Sequence, residues 1–125
     1  MDRVVHFEIP VDDATRAREF YGSIFEWGLQ PMEEMGYTLV TTSPVDDKTH
    51  TPAQPGAING GIMDRSDRTP HPVITIEVDS IDDSLKRIEA AGGSGVMPRT
   101  AMGGNGWFAY FKDSEGNVLG LWENA

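Results

Sequence analysis

Between Val4 and Val11 the chain alternates, with Val5, Phe7, Ile9 and Val11 on one side and Val4, His6, Glu8 and Pro10 on the other. This period of two predicts a strand with one face on the core and one of mixed polarity. From Ala14 the period changes. Ala14, Ala17, Phe20, Tyr21, Ile24 and Phe25 recur at helical spacing, with Asp12 or Asp13 placed to cap the helix and Gly28 to end it. Residues 36–42 predict a short strand, 43–55 a polar, proline-punctuated loop, 56–63 another strand and 64–72 a linker. The order then recurs. Residues 73–78 alternate, and Ser80 and Asp83 are spaced as a capping box ahead of Ile81, Leu85, Ile88 and Ala91, which share a helical face stopped by Gly92-Gly93. Residues 95–101 predict an edge strand. The aromatic run Trp107, Phe108, Tyr110 and Phe111, the turn residues 113–117 and the apolar run 118–122 predict a closing β-hairpin, with Gly116 at positive φ.

A strand, a helix and then further strands, two assigned in the first half and three in the second, thus occur twice in one α+β domain spanning residues 1–125: a first module 1–63, the linker 64–72 and a second module 73–125. Setting Val11-Asp12 against Val78-Asp79 places His6 opposite Val73, and setting Gly56 against Gly116 places Gly60 opposite Gly120. Each half is too small to bury a sheet face alone, so the two are expected to share a core. Periodicity by itself also allows a ferredoxin-like array.

Composition narrows the functional classes. A formal net charge of −10 repels phosphate backbones and anionic headgroups, which argues against nucleic acid as a partner. The absence of cysteine excludes disulfides, thiolate nucleophiles and cysteine-based zinc sites. No apolar run approaches the ~20 residues of a membrane span, and residues 1–6 lack the apolar core of a signal peptide, so a cytoplasmic location is expected. No Ser-His-Asp arrangement or phosphate loop is visible; Gly103-Gly104-Asn105-Gly106 precedes a strand, not a helix.

Four segments carry a resemblance to a known family: His6-Phe7-Glu8-Ile9-Pro10-Val11-Asp12-Asp13; Arg18-Glu19-Phe20-Tyr21-Gly22; Ile76 to Ser80 with Gly92-Gly93; and Asp113 to Leu121. In this order they resemble the vicinal oxygen chelate superfamily, the group of glyoxalases, bleomycin-resistance proteins and extradiol dioxygenases. The resemblance implies two βαβββ modules whose curled mixed sheets form a cupped cavity, usually in a homodimer. It implies either metal-dependent lyase, isomerase or dioxygenase chemistry or metal-free sequestration of small molecules. The positions that hold the metal in the family's enzymes correspond to His6, Gly60, Val73 and Gly120, of which only His6 has a donor atom. One imidazole is a weak metal site, since catalytic ions are normally held by about three protein ligands.

The expectation is thus a binder of a small aromatic or cationic organic molecule, with no cofactor. The pocket is expected to use His6, Glu8, Tyr37, Gly60, Thr75, Glu77, Trp107, Gly120 and Trp122. Gly120 is read as leaving open space beside Trp122. Phe7, Phe20, Tyr21 and Phe25 are read as core, and His50 and His71 as solvated. The alternative is an enzyme, using either a divalent metal (Zn, Mn, Fe or Ni) at a relocated His6-Glu8-Glu77 site or His6 with Glu8 as acid and base.

Overall fold

The computed structural model describes residues 1–125. The chain divides into two compact units, His6–Pro72 and a second made of Met1–Val5 with Val73–Ala125. Each is an α+β arrangement of a helix on a mixed four-stranded sheet.

In the first unit the strands are β1 (Arg3–Val11), β2 (Gly28–Met32), β3 (Tyr37–Thr41) and β4 (Gly60–Asp64), in the spatial order β2-β3-β4-β1. β1 runs parallel to β4, while β2, β3 and β4 form an antiparallel meander. Helix α1 (Ala14–Phe25) makes the parallel crossover, and Asp13 caps it by accepting a hydrogen bond from the Arg16 amide (3.0 Å). Its end differs from expectation. Glu26, not Gly28, takes the left-handed conformation that stops the helix (φ 57°), which frees Gly28 to begin β2. β4 is also shorter than its apolar run, because residues 56–59 do not join the sheet.

The core of this unit is Val11, Val40 and Ile62, with Phe7, Ile9, Ala14, Ala17, Tyr21, Trp27 and Leu29 packed around them. Phe20 and Phe25, expected in the core, are 56% and 52% exposed. Trp27, just after the helix, explains the difference. Its ring stacks on Tyr21 (5.3 Å between centroids) and packs against Phe7 (6.0 Å), filling the space those phenyl rings were assigned. The segment after β4 is no loose linker. The Arg65 amide donates to Val11 O (2.9 Å), its side chain pairs with Asp12 (2.9 Å), and the Ser66 and Thr69 hydroxyls bond each other at 3.0 Å.

The second unit repeats the plan with β5 (Val73–Glu77), α2 (Ile81–Ala90), β6 (Ser94–Ala101), β7 (Gly106–Lys112) and β8 (Val118–Asn124), ordered β5-β8-β7-β6. β5 and β8 are parallel; β6, β7 and β8 are antiparallel. Ser80 caps α2 through the Asp83 amide (3.2 Å), and Gly92, at φ 101°, follows its end. The closing hairpin is as expected. Asp113 accepts from the Glu115 and Asn117 amides (2.8 and 2.9 Å), and Gly116 adopts φ 83°. β6 lies at the sheet edge, where its Pro98 costs no ladder hydrogen bond, and its pairing is interrupted by irregularities around Met97. Val78, Ile81, Ala109, Phe111 and Leu121 form the core between sheet and helix.

Glu123, near the end of β8, ties this unit together. It accepts from Arg99 at 3.2 and 3.0 Å and from the Ile81 amide at the start of α2 at 2.8 Å. Arg99 in turn lies over the Trp107 ring, 3.8 Å from its centroid. The Arg99 bonds, then the Ile81 amide, hold the Glu123 carboxyl below its ordinary range. Glu123→Gln is therefore expected to destabilise the chain at neutral pH by about 1 kcal/mol, the size of a lost helix cap. A depressed carboxyl contributes its stability above the unfolded value, about pH 4.3, and loses it as pH falls through the folded one. Melting curves of variant and wild type should converge under acid; a gap that persists at low pH would show that charge is not its source.

Candidate functional site

The register of β1 against β4 decides which side chains meet on the sheet face opposite α1. Phe7 pairs with Gly60 and Glu8 with Gly61. Paired residues share a face, so Gly60 lies on the helix side, where a side chain would come within 2.7 Å of the Phe7 ring. The expected cavity position at Gly60 is thus displaced by one residue, which in a strand means the opposite face. Gly61 is the glycine beside Glu8. β3 completes this face, with Leu39 opposite Gly61 and Tyr37 opposite Met63; Met32 of β2 lies opposite Tyr37.

His6, Glu8 and Tyr37 are brought together here. The Tyr37 hydroxyl and His6 Nε2 are 2.8 Å apart, within a hydrogen bond. The tyrosine ring lies directly over Gly61, and any side chain on Gly61 would overlap it. Glu8 is buried at 7% exposure, on the same side of β1 as His6. Burial pushes the His6 imidazole below its usual value, and the Glu8 charge opposes this without reversing it. His6 is therefore biased toward the neutral form at pH 7, with a nitrogen able to accept a proton.

In the second unit the corresponding face carries Thr75 and Glu77 of β5, Gly120 and Trp122 of β8, and Tyr110 and Phe108 of β7. Trp122 shares its face with Gly120, as expected, and its indole nitrogen donates to Asn124 at 2.8 Å. Gly120 does not face open space. A β-carbon there would approach Thr75 Oγ1 to 2.6 Å, so the glycine is a close-packing residue. Trp107 lies on the other face, against the core under α2. Glu77 is engaged by Arg3 at 3.3 Å.

Tyr110, Phe108 and Gly61 were not singled out by sequence. The hairpin turn held the signal for the first two: counting outward from Lys112 opposite Val118 puts Tyr110 opposite Gly120 and Phe108 opposite Trp122. The doublet Gly60-Gly61 held no such signal, since either glycine fits the repeat.

The donor set can be tested against the family's metal. No three His, Asp or Glu side chains gather at ligand spacing. His6 directs Nε2 to a phenol, and Gly60, Gly61, Val73 and Gly120 have no donor atom. The residues present do not fit a resident catalytic ion.

A groove of about 240 Å³ in the first unit lies at the ends of β2, β3 and β4 beside α1, with Tyr37 in its wall. It is lined by Arg18, Glu33 and Asp64 rather than by His6 and Glu8.

Two substitutions test this geometry. Gly61→Ala should drive the Tyr37 ring off His6. With its cover gone, the imidazole should titrate closer to its ordinary 6.5, readable from its proton resonances; an unchanged titration would mean Tyr37 does not shield it. Gly120→Val should overpack Thr75 and destabilise by about 1–3 kcal/mol; a melting temperature at or above wild type would restore the open-space reading.

Comparison with known proteins agrees with this architecture. Residues 3–43 match the family model described as bleomycin resistance protein-like N-terminal. Over 120 residues the chain is 27% identical to "Putative glyoxylase CFP32" of Mycobacterium bovis and of Mycobacterium tuberculosis, covering 93% of this chain. It spans 43% of the length of those relatives. Among solved structures, methylmalonyl-CoA epimerase from Mycobacterium tuberculosis superposes with a TM-score of 0.63 at 17% identity, covering 98% of this chain and 87% of that one. A hypothetical protein from Bacillus halodurans C-125 gives 0.63 at 12% identity, with 99% and 95% covered. A Legionella pneumophila structure described as NAD-dependent benzaldehyde dehydrogenase gives 0.64 at 12% identity, with both chains fully covered (100%). At such identities the structural likeness speaks for the fold alone. Duplicated βαβββ modules, the matched N-terminal segment and the glyoxylase relatives together support the chain's resemblance to the vicinal oxygen chelate superfamily.

Proposed function

We propose that the chain binds a small organic molecule on the first unit's sheet face around His6, Glu8 and Tyr37, and that it does so without a catalytic metal. The observation that carries this reading is the commitment of His6 Nε2 to the Tyr37 hydroxyl at 2.8 Å. The one imidazole at the positions that correspond to the family's ligands thus has a hydrogen-bond partner, and no group of three His, Asp or Glu side chains stands at metal-ligand spacing. The face is suited to a partly apolar guest. Met32 and Met63 supply adaptable thioethers, Leu39 an exposed aliphatic surface, Tyr37 a ring edge, and Glu8 a carboxylate complementary to a cationic group. The overall charge of −10 favours approach of cations over anions.

One observation favours a second reading, metal-free acid–base chemistry. Burial keeps His6 neutral near pH 7, the form a general base requires, and Glu8 lies on the same face. Relatives of this fold include epimerases solved with a CoA ester. If His6 abstracts a proton, exchange of a substrate proton with D2O should follow the His6 titration and vanish in His6→Gln.

Self-association is part of the proposal, supported by exposed Phe20, Ile24 and Phe25 on and beside one face of α1. Sedimentation at micromolar concentration should give twice the 13.7 kDa chain mass; a monomer throughout would remove the dimer.

Metal content tests the main reading. Protein purified without chelator is expected to carry far less than one equivalent of any divalent ion. A stoichiometric ion lost on His6→Ala would overturn the metal-free assignment. Quenching or enhancement of tryptophan fluorescence by aromatic or cationic compounds, abolished in Tyr37→Ala, would locate the ligand.

A further inference from the structure

The groove beside α1 is distinct in chemistry from the His6 face. Arg18 projects from α1 and is fixed by two hydroxyls: its guanidinium donates to Thr38 Oγ1 at 3.1 Å and to Thr15 Oγ1 at 3.3 Å. Thr38 is 2% exposed, so one of these anchors is buried. Neither anchor neutralises the charge. Glu33 and Asp64 line the same groove, yet neither forms an ion pair with Arg18. The three charges stand apart around a space of about 240 Å³ with apolar walls at Pro31 and Ile62.

Separated charges of both signs in one partly desolvated concavity select by pattern. A simple anion would meet Arg18 but also two carboxylates. A simple cation would meet the carboxylates but also Arg18. Only a molecule carrying both charges satisfies all three, and a guanidinium is shaped to take a carboxylate through paired N–H donors. The volume limits the guest to a small molecule.

We propose that this groove is a ligand site for a small zwitterion of amino-acid type, its carboxylate on Arg18 and its ammonium toward Asp64 and Glu33. It adjoins the His6 face, with Tyr37, Met32 and Met63 as shared wall.

The test is calorimetric titration of the full chain with the proteinogenic amino acids, then with the N-acetyl and amide derivatives of the tightest binder. Each derivative lacks one of the two charges and is expected to bind at least tenfold more weakly. Arg18→Gln should abolish binding, and Arg18→Lys should retain part of it. Because Arg18 also ties α1 to β3, the double variant Glu33→Gln, Asp64→Asn provides a second arm, since both residues are exposed. It should melt like wild type and bind the amino acid at least tenfold more weakly. No saturable binding by any amino acid, derivatives as tight as the parent, or undiminished affinity in Arg18→Gln or in the double variant would overturn the proposal. A His6-dependent metal would sink the metal-free reading without touching these titrations, so the two can fail separately.

Discussion

The contact on which the first unit's site depends is the Tyr37 ring lying on Gly61. A sheet face opposite a helix must be covered, and a glycine leaves room for a neighbouring strand's aromatic ring to lie flat on the backbone. Tyr37 takes that room, and its hydroxyl thereby reaches His6 two strands away. Any side chain on Gly61 would remove both the packing and the hydrogen bond. The second unit has a glycine at the same place in its own sheet. Gly120 of β8 pairs with Thr75 of β5 as Gly61 of β4 pairs with Glu8 of β1, and Tyr110 is its neighbour on β7.

The Tyr37 hydroxyl gives the partly buried His6 imidazole a hydrogen-bond partner. An imidazole turned into a partly buried face without a partner would cost about 1–3 kcal/mol in unsatisfied polarity. Here a phenol supplies that partner. Burial, opposed by the Glu8 charge, biases His6 toward the neutral form.

The sequence made the duplicated plan legible because each element carried its own local signal. Period-two alternation marked β1 and β5, Ser80 and Asp13 marked helix starts, and the Asp113–Asn117 turn set the closing hairpin. β2 carried no such signal. Its sequence, Gly28-Leu29-Gln30-Pro31-Met32, has two apolar side chains besides a proline and gains its strand conformation from pairing with β3 along its whole length. The face assignments were harder still. Gly60-Gly61 satisfies the repeat at either position, and only inter-strand pairing tells which residue faces His6. Gly120 showed that a side chain was excluded but not what excluded it. Trp27 lay outside the helical period, so its capture of the core position beside Phe7 depended on a contact from another strand.

Charge separates the two candidate surfaces of the first unit. Against a background of −10, a cation held by neutral hydroxyls keeps its full field, whereas one paired to a carboxylate largely cancels it. Arg65, Arg3 and Arg99 are all paired to carboxylates; Arg18 is anchored to threonines in a groove that also holds Glu33 and Asp64. The His6 face instead carries the buried side chain of Glu8 on the same side of β1 as His6. The two surfaces therefore differ in the charges they carry. Tyr37 touches both, so a shift of that ring by a ligand on one side would be felt on the other.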